Sequence, residues 1–104
     1  EKPWIRMSSK ITNVITDLRN FMFENIYLPI GITREGKISK EIVKILFEHY
    51  RNNIDMIPDY IKSISNSEER MVTDYVCGMT DLFALRAAEQ LNPGLTTNMF
   101  DGRF

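Results

Sequence analysis

The chain has 104 residues, of which 43% are apolar and 26% charged, and its net charge is −1. That length holds one modest core, and that composition is ordinary for a folded chain rather than a disordered one. The near-zero charge excludes the broad positive field that drives non-specific nucleic-acid binding, so charge does not indicate nucleic acid as a partner.

The pattern predicts helices and no convincing strand. Ile11, Val14, Ile15, Leu18, Met22 and Ile26 recur at spacings of three and four. This predicts an amphipathic helix over 8–27, with Ser8 or Ser9 as N-cap and Pro29 and Gly31 as its end. The stretch "GITREGK" reads as a polar loop leading into a helix over 38–52 that Ser39 could cap. There Ile42, Ile45, Leu46 and His49 lie on one side, with Val43 and Tyr50 beside them. A short helix is predicted over 57–65, with Pro58 in its first turn, where a missing N–H costs little. A fourth helix is predicted over 67–91. Ser65 with Glu68, or Asn66 with Glu69, has capping-box spacing at its start, and Asn92, Pro93 and Gly94 stop it. Residues 92–104 form an aperiodic tail, either loose or docked on a neighbour through Met99, Phe100 and Phe104. The expected fold is all-α: a single domain, 1–104, built as a bundle of about four helices, the last the longest and most central.

That last helix carries an oddity. Unwrapped at about 100° per residue, it places Val72, Val76, Met79, Phe83 and Ala87 on one face, the expected core stripe. Asp74, Cys77, Gly78, Asp81, Leu85 and Ala88 fall nearly opposite. The two aspartates lie about 10 Å apart along the axis, too far to share a proton. Asp74 has Arg70 one turn before it, in the weaker ion-pair orientation, whereas Asp81 has no basic residue within a turn. Gly78 costs about 1 kcal/mol against alanine in a helix interior, tolerable where another backbone or a ligand must approach. On periodicity alone the plainer reading stands first: two acids on a solvated face and a tolerated glycine.

No catalytic set is visible. His49 sits on a semi-apolar helix face without a second His or a positioned acid, and reads as a packed or edge histidine. The single cysteine, Cys77, excludes an internal disulfide, fits a reducing cytoplasm, and leaves no Cys/His group of zinc-ligand spacing. Phe21, Phe23, Phe47, Met71 and Met79 recur at helical spacing and read as core. "NMFDGRF" suits a turn at Asp101–Gly102 and matches no phosphate loop. No apolar run reaches membrane-spanning length and no signal peptide is visible, so a cytoplasmic setting without a membrane partner is expected. The opening "EKPWIRMSS" lacks an initiator Met, as would a piece of a longer protein, a Met-trimmed chain or a tag-cleavage product.

The stretch "ERMVTDYVCGMTDLFALRAAEQL" resembles the C-terminal signature of the bacterial dGTP triphosphohydrolase family, Asp-Tyr-[hydrophobic]-x-Gly-Met-Thr-Asp-x-[aromatic]-Ala-Leu. Here Asp74, Tyr75, Val76, Cys77, Gly78, Met79, Thr80, Asp81, Leu82, Phe83, Ala84 and Leu85 supply that string. "ITNVITDLRNFMFENIYLP" is similar to an earlier helix of the family, through Leu18, Phe21, Met22, Phe23, Ile26 and Tyr27. "VKILFEHYRNNIDMIPDYI" resembles the segment after it, so the likeness covers roughly Ser8 to Pro93. Two departures stand out: Leu82 and Phe83 replace a common Arg-Tyr, removing a possible phosphate or ion-pair contact, and Cys77 replaces a common Ala.

The resemblance implies a parent enzyme that hydrolyses dGTP or other dNTPs to deoxynucleoside and triphosphate. It implies an N-terminal HD domain in which two His and two Asp hold a divalent metal that activates water. The chain would then be the phosphohydrolase-associated C-terminal region of such a homo-oligomer, with no catalytic, cofactor or metal residue of its own. Asp74, Tyr75, Gly78, Thr80 and Asp81 become the candidate interface or pocket-lining positions toward the missing HD domain or another subunit. Two other classes stay open. One is a helical oligomerisation module without hydrolase activity. The other is a regulatory nucleotide-binding domain drawing on Arg34, Lys37, Lys40 and Lys44.

Overall fold

Ser8 starts the first helix: its hydroxyl accepts the Ile11 N–H at 3.3 Å, leaving α1 to run over Ser9–Met22. The computed structural model describes residues 2–97; Met99, Phe100, Phe104 and the Asp101–Gly102 turn lie outside them.

The helical path does not stop at Pro29. It widens into a π-helical turn at Phe23–Tyr27, where the Leu28 N–H reaches back to the Phe23 carbonyl, and continues as α2, Leu28–Gly31. The physical reason is the proline itself. In a regular helix its ring clashes with the carbonyl four residues back and its hydrogen bond is missing. A wider turn relaxes both constraints.

The next helix starts four residues before the expected 38, as α3, Arg34–Asn52. Thr33 does the work assigned to Ser39, its hydroxyl accepting the Gly36 N–H at 3.1 Å and donating to the Ile30 carbonyl at 2.6 Å. Gly36 permits this tight entry. A Cβ there would collide with the Ile30 carbonyl oxygen and sit 2.9 Å from the Gly31 Cα.

A 3-10 turn, Ile54–Met56, and α4, Asp59–Lys62, replace the short helix read over 57–65. The predicted last helix is two helices, α5 over Glu68–Cys77 and α6 over Asp81–Leu91. Ser67 caps α5 through the Arg70 N–H, rather than Ser65 or Asn66, and Thr80 caps α6 through the Phe83 N–H. The division makes α3, not the last helix, the longest; every described helical and turn segment agrees with the all-α expectation.

The chain divides into two compact units, Glu1–Gly36 and Lys37–Phe104. The core lies in the second: Ile42, Leu46 and Tyr50 of α3, Ile57, Val72 of α5 and Ala88 of α6 are buried. Ile38, Met71, Tyr75, Val76, Met79, Ala84 and Leu85 pack around them. Ala88 and Leu85, placed opposite the core by a continuous helix, face it because the break re-phases α6. Phe83, placed on the core stripe, is 49% exposed for the same reason. In the first unit, α1, the π-helical turn and α2 contain no buried residue.

Candidate functional site

The break between α5 and α6 shapes the site. The Gly78 N–H still bonds the Asp74 carbonyl at 3.1 Å, and Met79 closes a turn onto Val76 at 3.2 Å. Thr80 then turns extended, which is the backbone an N-cap requires. The chain direction changes here, and α4 lies alongside. A cavity of about 300 Å³ results, lined by Pro58, Tyr60 and Ile61 on one side and by Asp74, Tyr75, Gly78, Met79, Thr80 and Phe83 on the other.

Of the five positions singled out from the sequence, Asp74, Tyr75, Gly78 and Thr80 meet at this notch and Asp81 does not line it. Asp81 is exposed in the first turn of α6, where the positive end of the helix dipole favours an acid. Asp74 is engaged locally. Its Oδ1 accepts the Arg70 Nε–H at 2.8 Å and its Oδ2 accepts the Ser65 hydroxyl at 3.1 Å, which staples the loop before α5 to that helix. With Arg70 two-thirds exposed, that ion pair is worth at most about 1 kcal/mol. Thr80 spends its hydroxyl oxygen on the α6 cap.

Tyr75 forms the back wall. Its ring stands edge-on to Tyr50 at 4.9 Å between centroids, and Tyr50 in turn packs edge-on with His49 at 5.0 Å. Burial pushes the Tyr50 hydroxyl above the usual tyrosine range, and its contact with Tyr75 adds to the shift. Gly78 forms part of the floor. Its backbone is ordinary right-handed helical, and a Cβ would stand 3.1 Å from the Asp74 carbonyl oxygen one turn back, a tight but local contact.

Asp74 and Thr80 already hold partners within the fold, and Tyr60, Phe83 and Met79 add aromatic and thioether surface to the lining. Tyr60 and Phe83 are both largely exposed. Sequence reasoning missed Pro58, Tyr60 and Ile61, which reach the notch only through tertiary packing. The available signal was an aromatic two residues after a proline in "PDYIK". Among the described residues no three His, Cys, Asp or Glu side chains gather within reach of one metal ion. The notch thus joins apolar and aromatic side chains with the polar groups of Asp74, Tyr75 and Thr80.

The geometry of a cap-and-break helix pair around that signature accompanies a direct match: the phosphohydrolase-associated domain family covers residues 5–90. The chain belongs to that family. It is 32% identical over 105 residues to a deoxyguanosinetriphosphate triphosphohydrolase-like protein of Caldanaerobacter subterraneus subsp. tengcongensis, an alignment covering 96% of this chain and 31% of the relative. It is 38% identical over 82 residues to a protein of the same description from Clostridium perfringens, covering 77% of this chain and 24% of the relative. A Leptospira interrogans protein, again so described, is 29% identical over 86 residues, covering 81% and 23%. The phosphohydrolase-associated chain thus spans about a quarter to a third of the length of these relatives. No solved structure matches it. No helix among the described residues is long and apolar enough to cross a membrane.

Proposed function

We propose that this phosphohydrolase-associated chain is the accessory helical region of a cytoplasmic, oligomeric dNTP triphosphohydrolase. Its parent splits dGTP into deoxyguanosine and triphosphate with a divalent metal held in an HD domain outside the sequence described here. The observation that carries the reading is the pairing of a match across 5–90 with relatives three to four times longer that bear the triphosphohydrolase-like description. The metal would activate water when bound. No step of hydrolysis is assigned to the described residues of this chain.

What this chain contributes is shape. The notch between α4 and the α5–α6 joint receives an apolar side chain from the catalytic domain, with Tyr60, Met79 and Phe83 gripping it and Gly78 keeping the floor open. Asp74 supports the notch by holding Arg70 and Ser65. The test is dGTP hydrolysis by the parent protein with added divalent metal. The parent is expected to release deoxyguanosine and triphosphate, and the isolated 104-residue chain neither. Gly78→Leu, which fills the notch, is expected to lower parent activity or assembly at least tenfold, a loss of roughly 1.4 kcal/mol of coupling. Asp81→Asn, outside the notch, is expected to change it little. Metal-dependent hydrolysis by the isolated chain, or full activity in Gly78→Leu, would overturn the proposal.

A further inference from the structure

We infer that the element seated in the notch carries basic residues on either side of its apolar side chain, and that Asp59 and Asp81, one beside each wall, receive them. The inference deepens the proposed function and rests on its reading of the notch as a seat for the catalytic domain.

Charge is unevenly spread along the chain. Asp55, Asp59, Glu68, Glu69, Asp74 and Asp81 stand against Lys62 and Arg70 between residues 55 and 81, a net of −4 in a chain whose total is −1. Helix chemistry accounts for the presence of these acids: all but Asp74 occupy the first turn of a helix or 3-10 turn. A helix N-terminus offers only about half a positive charge, so the excess is not cancelled.

Two of the acids border the notch. Asp59 lies between the lining residues Pro58 and Tyr60, and Asp81 follows the lining residue Thr80 on the opposite wall. Neither is neutralised at close range. The Lys62 Nζ approaches the Asp59 carboxylate only to 3.7 Å, beyond hydrogen-bond length. Asp81 has no basic residue within a turn of it. Asp74, by contrast, is matched by Arg70 at 2.8 Å. All these residues belong to the unit Lys37–Phe104, so their grouping is independent of where the other unit lies.

The chemistry of the partner follows. An acidic element seated here would bring like charges together, and a neutral one would strip water from two carboxylates without replacing it. A basic element is steered toward the notch and pairs with both rims. The rings of Tyr60 and Phe83, in the lining beside them, also attract a guanidinium.

Hydrogen exchange of the full-length parent in about 0.05 M and about 1 M sodium chloride tests this, because the higher salt shrinks the reach of charge to roughly a bond length or two. Peptides over 59–62 and 78–83 are expected to exchange about tenfold faster at the higher salt, relative to peptides of the 42–50 core, in the parent and not in the isolated chain. A single rim charge is worth little, so both are reversed together. Asp59→Lys with Asp81→Lys is expected to remove most of the protection at low salt. Glu41→Lys with Glu48→Lys, the same charge change on α3, is expected to leave it. If reversal weakens α6 itself, the salt response of the wild-type parent still decides. Protection that holds or grows with salt overturns the inference while leaving the seat in place. An equal salt response in the isolated chain also overturns it, by assigning the basic cover to this chain. A notch no better protected in the parent than in the isolated chain removes the seat and the inference together. A salt-sensitive notch in a parent that hydrolyses no dGTP leaves the inference standing and removes the proposed reaction, so the two failures are distinguishable.

Discussion

Helices α1 and α3 carry apolar stripes of the same period, yet the molecule treats them oppositely. In the second unit Ile42, Leu46 and Tyr50 of α3 vanish beneath α5 and α6, with Leu46 wholly buried. In the first unit Ile11, Val14 and Leu18 of α1 stay in solvent. Periodicity records which side of a helix must be covered; it does not record whether the cover lies in the same stretch of chain. The contrast is between a stripe that meets its cover inside its own unit and one that does not.

The sharpest way to break that contrast is a matched pair of truncations in the isolated chain. Leu46→Ala is expected to destabilise the second unit by about 2–5 kcal/mol, because the cavity cannot be filled by solvent. Leu18→Ala is expected to stay within about 0.5 kcal/mol of the parent sequence. Urea unfolding followed by circular dichroism measures both, and equal losses would mean that the two stripes are not treated differently at all.

Next in size is Gly36→Ala, expected to cost about 1–3 kcal/mol because backbone rather than a movable side chain opposes the new methyl. Helix content should fall at the α2–α3 entry, and amide shifts of residues 30–36 should report it while those of the Leu46 core stay put.

Thr80→Ala is smaller. It removes the α6 cap and is expected to cost about 1 kcal/mol in thermal unfolding, with Thr80→Ser restoring most of it. A null result would mean that the break between α5 and α6 is held by packing and not by its cap.

The smallest effect is local and acidic. Glu89 accepts from the Thr96 hydroxyl and from the Gly94 and Thr96 N–H groups, foremost the Thr96 hydroxyl, and these hold its carboxyl below the usual glutamate range. A carboxyl lowered by folding stabilises fully above its unfolded value and loses that contribution as pH falls through the folded one. Amide exchange at Gly94 and Thr96 should therefore quicken, relative to other amides, only below the ordinary glutamate range. Glu89→Gln should flatten that dependence.

Several of these features were legible in the sequence and others were not, for identifiable reasons. The Ser8 cap and the α3 stripe were readable because cap chemistry and the apolar period pointed the same way. The early start of α3 was hidden because "TREG" looks like a loop until Thr33 is seen bonding both Ile30 and Gly36. The break at Gly78–Thr80 was masked by apolar residues running through it. A threonine followed by an acid is nonetheless a cap signature, and its neglect moved Ala88 and Phe83 to the wrong faces. At the candidate site the family string located Asp74, Tyr75, Gly78 and Thr80 together, since neighbours in sequence around a turn stay neighbours in space. Asp81 was misgrouped by the assumption of a straight helix. Tyr60 was unreachable by any local rule, because its place beside Phe83 depends on how α4 lies against α5.

The capped joint at Thr80 also bears on how this region melts. A continuous helix from 68 to 91 would fray inward from its extremities as one cooperative block. With independent terminators at Ser67 and Thr80, α5 and α6 each possess their own boundary, so loss of order in one has no hydrogen-bonded ladder along which to spread into the other. Fraying from Leu91 should therefore stop at Thr80 without unwinding α5, and only loss of the core that Val72 and Ala88 share should carry both helices together.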